Sequence, residues 1–263
     1  MKFALVDKNK LEAAKGLTGL CPSCGSELIA KCGTFKINHW AHKGIRNCDP
    51  WWENETEWHR QWKGYFDPEW QEFVHKDNKT GEKHIADIFT PNELVIEFQH
   101  SHLNPTERTS RERFYKKMIW VVNGTRLKTD YSRFCKRQAT NSIFFPRHVS
   151  SISLPEECLP KDWIRSSVPV VIDFQGIENQ NEIEHDRKFL YCILPIKLET
   201  HSYMVGLNRD VFVERLKIDG LFEELMKLTN EVKLLHQRQQ SMAQSELMNQ
   251  FIRGRMPSSR KRL

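Results

Sequence analysis

Two carboxylates in the stretch His84–Gln99 have the spacing of a pair that could hold a metal ion. Asp87 lies in an apolar segment that ends at turn residues 90–93, and Glu97 lies in the apolar run that follows. A β-hairpin would bring the two carboxylates opposite each other, where they repel unless a cation lies between them. Asp87, Glu97 and the carbonyl oxygen of Phe98 are hard oxygen ligands. They therefore predict a site for Mg²⁺ or Mn²⁺.

Gln99 follows the second carboxylate by two residues and lies on the same face of the predicted strand as Glu97. Its amide could orient a water molecule for hydrolysis, but it could not neutralise negative charge that develops on a phosphate. The alternative interpretation of the stretch is an ordinary hairpin with a surface Asp and a half-exposed Glu.

Two cysteines and two histidines near the start of the sequence have spacings that are typical of a structural zinc site. The cysteines belong to a CPSCG knuckle, which points two thiolates at one centre, and the histidines belong to the segment HWAH. The predicted ligands are Cys21, Cys24, His39 and His42. Four protein ligands leave no open position for catalysis, so this metal would brace the fold. Cys32 and Cys48 could substitute as ligands, and free thiols with two surface histidines are the alternative.

Residues 53–66 are predicted to form an amphipathic helix, with Asn54 as its N-cap and Glu57 three positions later. Glu55 and His59 lie four residues apart, so they share one face of this helix. Facing the hairpin, they would add a third carboxylate and a titratable imidazole to the metal site. A solvated helix whose acidic first turn favours the helix dipole is the alternative.

A basic helix is predicted over residues 105–117, with a buried strand at 118–124 after it. Arg111 and Tyr115 lie four residues apart on one face of the helix and could contact substrate phosphates. Ser101, in the loop before the helix, could also touch a phosphate. The net charge of +6 permits such a nucleic-acid partner without requiring one.

The overall composition limits the class of protein. Hydrophobic residues make up 39% and charged residues 28%, which excludes a disordered chain. No apolar run approaches the roughly 20 residues that span a bilayer, so no membrane partner is expected. Seven cysteines, an odd number, argue against a complete disulfide framework. Because the first apolar segment is also too short for a secretion signal, a cytoplasmic location is expected.

Five motifs occur in an order and spacing similar to those of the CoiA-like competence-protein family. They are the Cys21–Cys24 knuckle, the His39–His42 segment, Glu55-Thr56-x-x-His59-x-x-x-Lys63, Ala86-Asp87-Ile88, and Ile96-Glu97-Phe98-Gln99-x-Ser101. Trp40 stands where the family has Phe, and Thr56 stands where it has Ser. The match continues to about residue 122, with Arg111, Tyr115 and Trp120 in the positions of the family's Arg, Tyr and Trp.

The hairpin within this set resembles the active-site core of the PD-(D/E)XK nuclease superfamily, in which an Asp on one strand precedes a (D/E)-x-K element on the next. Here the element is EFQ, with Gln99 where Lys is usual. The resemblance implies an α/β fold with a restriction-endonuclease-like core, a central mixed sheet flanked by helices in the order αβββαβ. It also implies an Mg²⁺- or Mn²⁺-dependent deoxyribonuclease that acts on DNA in prokaryotic competence, recombination or anti-phage defence.

In this interpretation Asp87 and Glu97 hold the catalytic metal, with Glu55 as a further ligand. The metal would polarise the phosphoryl group and lower the pKa of the attacking water. The amide of residue 99 would orient that water, while His59 or Arg111 would place or neutralise the phosphate.

Four sections are predicted along the chain. They are a zinc module at 1–50, a nuclease core at 51–160, a β-rich section at 161–209, and an amphipathic helix with a basic tail at 210–263. Leucine and valine follow heptad steps over 221–235, so this helix could dock on the body, pair with another copy or bind a partner protein. Short strands and loops are predicted at 125–160, and a mobile tail with affinity for phosphate backbones is predicted beyond Gln237.

Two other functions compete with the nuclease. A zinc-containing DNA-binding adaptor with an inactive nuclease fold is the first, and Gln99 in place of Lys favours it. The second is an HNH-type nuclease centred on His39 and His42, but that would leave the carboxylate pair without a role.

Overall fold

The computed structural model describes residues 1–44, 48–51, 55–78, 80–138, 143–144, 149–176, 185–196, 201–218 and 220–255. Within these residues the chain forms a mixed α/β structure with two β-sheets and five α-helices, so the predicted α/β class is confirmed. The predicted helix cap Asn54 lies outside the described residues.

A small antiparallel sheet occupies the start of the chain. Its strands are β1 (Phe3–Val6), β2 (Asn9–Glu12), β3 (Thr18–Leu20), β4 (Glu27–Lys31) and β5 (His39–His42). Their spatial order is β2-β1-β3-β4-β5. Leu28 and Trp40 are buried at its centre, and the Trp40 indole N–H donates a hydrogen bond of 3.0 Å to the carbonyl oxygen of Leu11. This buried indole holds β5 against the rest of the sheet.

A nine-stranded sheet forms the body of the protein. Its strands are β6 (Gln71–Lys76), β7 (Lys83–Phe89), β8 (Val95–Gln99), β9 (Met118–Asn123), β10 (Ile143–Phe144), β11 (Val149–Ser153), β12 (Val170–Asp173), β13 (Phe189–Ile193) and β14 (His201–Asn208). Their spatial order is β10-β11-β14-β13-β12-β9-β8-β7-β6. The pairs β8–β9 and β9–β12 are parallel, and the other neighbouring pairs are antiparallel. The sheet therefore continues without a break from section 51–160 into section 161–209.

Five α-helices accompany the sheets. They are α1 (Glu57–Lys63), α2 (Pro105–Tyr115), α3 (Asp130–Gln138), α4 (Arg209–Lys217) and α5 (Leu221–Arg255). The first part of the body thus runs α1-β6-β7-β8-α2-β9, which is the predicted element order. The hairpin of β7 and β8, the helix α2 and the strand β9 are all confirmed near their predicted positions.

The central strand β8 is apolar because both of its faces are covered. Ile96 and Phe98 pack with Trp58 and Trp62 of α1 on one face, whereas Val95 packs in the cluster on the other face. Strands buried on both sides are typically rich in β-branched and aromatic residues. A charged side chain on β8 therefore enters a largely apolar environment, which is the setting of the site described below.

The helix α1 is shorter than the predicted helix at 53–66, since it begins at Glu57 with Thr56 as its N-cap. The Thr56 backbone N–H donates a hydrogen bond of 3.1 Å to Nδ1 of His59, so an imidazole closes the capping box where a Glu or Gln is usual. Its C-cap is Gly64. The predicted boundaries were wrong because a His was not expected to fulfil this capping role.

The C-terminal part of the chain is more regular than predicted. The helix α5 continues to Arg255, through the segment beyond Gln237 that was expected to be a mobile tail. That segment is rich in Gln, Arg and Met, which are good helix formers. Leu221, Leu225 and Val232 of the heptad pattern are buried in the main core, so this seam docks on the body of the same chain.

A fully buried carboxylate joins two helices to the end of β12. Asp173 accepts hydrogen bonds from the indole N–H groups of Trp58, at 2.9 Å, and Trp62, at 3.0 Å. It also forms an ion pair with Arg209 of α4. Because α1 also carries His59 and Lys63 of the site described below, the contacts of Asp173 with this helix help to fix the position of that site.

Replacing Asp173 by alanine is expected to lower the free energy of unfolding by about 3–5 kcal/mol, the usual cost of leaving one buried charge without its partner. Arg209 would remain buried with no opposite charge, and two indole N–H groups would lose their acceptor. Urea unfolding followed by tryptophan fluorescence measures the change. Glu214→Ala on the exposed face of α4 is the matched control, and an equal, small effect of both substitutions would contradict the structural role of Asp173.

Candidate active site and metal centre

Three cysteines and one histidine come together beside the small sheet. The ligand atoms of Cys21, Cys24, His42 and Cys48 all lie within 4.8 Å of one another. The Sγ atoms of Cys21 and Cys48 are 3.9 Å apart, and His42 Nε2 lies 3.4 Å from Cys24 Sγ and 3.5 Å from Cys48 Sγ. Tetrahedral zinc with Zn–S bonds of about 2.3 Å separates its sulfur ligands by about 3.8 Å. The cluster could therefore bind zinc with these four residues as ligands.

The knuckle that carries the first two cysteines depends on one glycine. Gly25 has a φ of +73°, a conformation that side chains rarely adopt. Its N–H donates to the carbonyl oxygen of Cys21 at 2.9 Å, and the Cys21 N–H donates to that of Ser26 at 2.9 Å. This tight turn brings Cys24 back beside Cys21, as the CPSCG pattern predicts.

His39 was predicted as a zinc ligand, and the structure replaces it with Cys48. The segment HWAH forms the strand β5, so side chains three residues apart point to opposite faces. His42 faces the cluster, whereas Nδ1 of His39 lies 2.9 Å from the carbonyl oxygen of Ile37. Cys48, which was named as a substitute ligand, occupies the fourth position.

The thiols of the knuckle differ in acidity. Burial raises the pKa of the Cys21 thiol to about 12. Burial acts in the same direction on Cys24, but hydrogen bonds to Ser26, followed by His42 and Cys21, outweigh it and lower the pKa of Cys24 to about 6. Because only a thiolate binds zinc well, Cys24 is ready to bind at neutral pH and Cys21 needs the metal ion itself to lose its proton.

Asp87 and Glu97 meet where β7 and β8 separate, and the predicted hairpin places them together. Ile88 and Ile96 are paired in the backbone ladder. Next to them, Asp87 Oδ2 accepts a hydrogen bond of 3.0 Å from the N–H of Phe98, and Glu97 Oε1 accepts one of 3.2 Å from the N–H of Asp87. Each carboxylate thus bridges to the opposite strand.

A cavity of about 60 Å³ opens at this fork. Its titratable lining residues are Asp49, Glu55, His59, Lys63, Glu72, Asp87, Glu97, Arg111 and Tyr115. Five of these are carboxylates and two are basic side chains, so the lining is acidic. The predicted site residues Asp87, Glu97, Glu55, His59 and Arg111 therefore share one cavity. A volume of this size holds about two water molecules at about 30 Å³ each.

Glu97 is the carboxylate whose charge is least stable in this cavity. Its burial raises its pKa, and the neighbouring Asp87 raises it further. Arg111, with Nη1 at 3.3 Å from Glu97 Oε2, offsets only part of this effect, so the pKa of Glu97 reaches about 8. A second cation near Glu97 and Asp87 would remove the repulsion between them.

Lys63 extends from α1 into the midst of three carboxylates. Its Nζ lies 2.9 Å from Asp87 Oδ1, 3.3 Å from Glu72 Oε1 and 3.3 Å from Glu55 Oε1. Burial alone would lower the pKa of this ammonium, but Asp87, Glu72 and Glu55 hold it well above its usual value. Glu55 also lies 2.9 Å from Nε of Arg60, so the predicted third metal ligand already has two basic neighbours.

His59 lies between the helix cap and the hairpin. Because Nδ1 accepts the hydrogen bond from the Thr56 N–H, the ring proton of a neutral imidazole is on Nε2. Nε2 lies 3.2 Å from the carbonyl oxygen of Phe98 and donates to it in this tautomer. His59 therefore fixes the orientation of the Phe98 carbonyl, which is the third predicted oxygen ligand.

Gln99 and Ser101 are both separate from the cavity lining among the described residues. The Gln99 amide donates to the carbonyl oxygen of Ser101 at 3.3 Å, and Ser101 itself is exposed. Gln99 was expected to orient a water molecule and Ser101 to bind a phosphate. In the structure these two residues contact each other at the end of β8.

Arg111 and Tyr115 both line the cavity from α2 and are buried there. The Arg111 guanidinium contacts Glu97, Glu107 and the carbonyl oxygen of Trp51, so it braces one of the two central carboxylates. Burial, followed by the nearby Glu97, raises the pKa of Tyr115 well above its usual value, so that its phenol stays protonated.

Lys63, Asp49 and Glu72 line the cavity, but the sequence patterns assigned them no role in the site. Lys63 was visible in principle, because it lies one helical turn after His59 in the same motif. Asp49 accepts hydrogen bonds from the backbone N–H groups of Ile85 and Trp51, and Glu72 is the second residue of β6. No sequence signal connects these two carboxylates to the hairpin, since they reach it through long-range packing.

The start of the chain matches a known family. The family model described as Competence protein CoiA, N-terminal domain, matches residues 4–50, which contain the small sheet, except for Phe3, and all four residues of the Cys21–Cys24–His42–Cys48 cluster. No curated protein and no solved structure gives a significant match. Within the described ranges, no helix combines the length and the apolar character that crossing a membrane requires. Residues 4–50 are therefore similar to the N-terminal domain of CoiA competence proteins.

Proposed function

We propose that this protein is a metal-dependent deoxyribonuclease that hydrolyses phosphodiester bonds in DNA. The observation that carries the proposal is the pair Asp87 and Glu97 at the fork of a buried hairpin, where the charged form of Glu97 is unfavourable without a further cation. The similarity of residues 4–50 to the CoiA N-terminal domain supports a role in competence and hence in DNA processing.

The fold of the body supports the same proposal. The order α1-β6-β7-β8-α2-β9, with β8 and β9 parallel, agrees with the restriction-endonuclease-like core that the PD-(D/E)XK resemblance implies. In that comparison Asp87 and Glu97 correspond to the two acidic residues of the motif. Helix α1 supplies His59 and Lys63 to the cavity, and helix α2 supplies Arg111 and Tyr115.

The donor set of the cavity fits Mg²⁺ or Mn²⁺. Asp87, Glu97 and the carbonyl of Phe98 are oxygen donors that line one cavity, and both ions prefer such ligands. A bound ion would polarise the phosphoryl group and lower the pKa of a water molecule. The binding of Mg²⁺ or Mn²⁺ in this cavity is a proposal. For zinc, by contrast, the cluster of Cys21, Cys24, His42 and Cys48 provides ligand atoms at suitable distances.

The residues around the donors have distinct parts in the proposed reaction. His59 holds the Phe98 carbonyl toward the site, and Arg111 keeps Glu97 in place. Helix α2 and the loop before it would face the DNA backbone, since phosphates are bound mainly through basic side chains. The small sheet would brace the body and contribute to DNA contacts.

Glu97→Gln tests this function through both cleavage and metal binding. Wild-type protein is expected to cut single- or double-stranded DNA with Mg²⁺ or Mn²⁺ and not with EDTA. The variant should lose more than about a hundredfold in rate, since even outer-shell partners of a metal contribute 10–100-fold. Wild-type affinity for Mn²⁺, measured by calorimetry, should tighten about tenfold per pH unit up to about pH 8, because binding displaces the Glu97 proton.

The variant lacks that carboxyl group, so its Mn²⁺ affinity should lose this pH slope. Glu214→Gln, on the exposed surface of α4, is the control and should behave as wild type. Cleavage by Glu97→Gln at the wild-type rate would exclude the hairpin as the active site.

A DNA-binding adaptor is the second candidate function. It is favoured by the ion pairs of Lys63 with Asp87 and of Arg111 with Glu97, which partly neutralise both carboxylates without a metal ion. DNA binding by the wild type, with neither cleavage nor Mn²⁺ binding, would select the adaptor.

A further inference from the structure

Lys63 brings a positive charge to the cavity beside Asp87, where the EFQ element of the hairpin has the neutral Gln99. Residue 99, two positions after Glu97, is a glutamine whose amide contacts Ser101 rather than the cavity. Lys63 enters the same cavity from α1, and its side chain is only 4% exposed. Its Nζ lies 2.9 Å from Asp87, the carboxylate at the centre of the proposed site.

The other basic side chain of the cavity lining is less suited to move with a substrate. Arg111 is held by Glu97, by Glu107 and by the carbonyl oxygen of Trp51, and its planar group fixes the direction of these contacts. An ammonium on a four-carbon stem can instead redirect its three donors when a new anion arrives. Within the described lining, Lys63 is therefore the cation best able to meet the growing charge of a phosphate.

We propose that Lys63 contacts the scissile phosphate and neutralises its developing negative charge, and that Glu72 is the residue that positions Lys63. This inference rests on the nuclease function proposed above. It assigns to a helix the positive charge that the EFQ element of the strand lacks.

Glu72 has the contacts that positioning requires. Its Oε1 accepts a hydrogen bond of 2.7 Å from the backbone N–H of Lys2 and lies 3.3 Å from Lys63 Nζ. Its Oε2 accepts a hydrogen bond of 3.0 Å from the N–H of Phe3, the first residue of β1. The carboxylate therefore links the small sheet to Lys63 directly.

The backbone at Glu72 also departs from ordinary strand geometry. Its φ is +48°, in the left-handed region that is unfavourable for residues other than glycine. This conformation is kept inside a strand, where its neighbour Gln71 accepts a hydrogen bond from the Lys2 side chain and donates to the carbonyl of Lys63. Gln71 and Glu72 thus connect the residues at the start of the small sheet to the end of α1.

Lys63→Met and Lys63→Arg are the first variants to compare with wild type. Methionine keeps the length of the side chain and removes its charge. We expect kcat for DNA cleavage to fall roughly a hundredfold or more in Lys63→Met, with KM within about threefold of wild type, as for an interaction made in the transition state. Lys63→Arg should recover at least about a tenth of the wild-type kcat. Lys76→Met, on β6 and outside the cavity lining, is the control.

Mn²⁺ binding provides a measurement that does not depend on cleavage. Removing the ammonium leaves Asp87, Glu72 and Glu55 without their shared cation, so Lys63→Met should bind Mn²⁺ at least as tightly as wild type in calorimetry. Weaker Mn²⁺ binding together with lost cleavage would overturn the inference, because it would make Lys63 a support for the site's structure.

Glu72→Gln decides the matter if Lys63→Met fails to fold. It keeps the size of the side chain but weakens its hold on Lys63, and kcat should fall about tenfold with KM unchanged. Wild-type kcat in folded Glu72→Gln, or in Lys63→Met, would overturn the inference while leaving the nuclease function intact. No cleavage by the wild type under any metal condition would overturn both.

Discussion

Asp87→Ala is expected to abolish metal-dependent DNA cleavage, with a loss of about a thousandfold or more in rate. Asp87 contacts three residues of the site. Its carboxylate accepts a hydrogen bond from the Phe98 N–H and forms an ion pair with Lys63, and its own N–H donates a hydrogen bond to Glu97. Even outer-shell partners of a metal ion contribute about 10–100-fold, so loss of a direct ligand is expected to cost more than that. Plasmid and oligonucleotide cleavage with Mg²⁺, Mn²⁺ and EDTA measures the effect.

The control for this experiment is Asp67→Asn, a carboxylate that caps a short helical turn outside the cavity lining. Circular dichroism should show that Asp87→Ala remains folded, since Lys63 keeps Glu55 and Glu72 as partners. Equal cutting by wild type and Asp87→Ala would disprove the hairpin assignment and direct attention to the histidines of HWAH or to a contaminating nuclease.

Cys48→Ser is expected to have the second-largest effect, on zinc content and stability. Structural zinc sites contribute about 10–16 kcal/mol of apparent binding free energy in small zinc-finger peptides, so loss of one thiolate ligand weakens the site severely. The purified variant should contain much less than one zinc ion per chain by metal analysis. Its thermal unfolding midpoint should fall well below that of the wild type.

His39→Ala is the matched variant, because the sequence spacing predicts His39 as a ligand and the structure does not place it in the cluster. It should keep one zinc ion per chain and a thermal midpoint close to that of the wild type. The opposite result, zinc lost in His39→Ala and kept in Cys48→Ser, would restore the ligand set predicted from the spacing.

Local patterns predicted much of the site. The hairpin follows from two apolar segments around a turn, and once these pair, strand alternation brings Asp87 and Glu97 to one place. The same alternation explains the failure at His39, because the HxxH spacing was taken as a ligand pattern without considering that HWAH forms a strand. The two-residue alternation of a strand can be read from the sequence both at the hairpin and at HWAH.

Other parts of the site depend on packing that no local pattern contains. Glu72 reaches the cavity only because β6 pairs with β7 and because β1 of another sheet donates to its carboxylate. Asp49 similarly depends on its contact with Ile85. The cluster contact of Cys48 requires the chain after β5 to return to the knuckle, which spacing alone does not specify. The roles of Glu72, Asp49 and Cys48 can be identified only from the three-dimensional structure.

The contact of Glu72 with β1 has a consequence for the ancestry of the chain. A module that could be exchanged freely between proteins would meet its neighbour through ordinary surface side chains. Here the main chain at Lys2 and Phe3 binds a carboxylate that also lines the cavity beside the hairpin, so residues at the start of the small sheet help to close that cavity. The two sheets are therefore expected to be inherited together, and a substitution at Glu72 is a change to both of them.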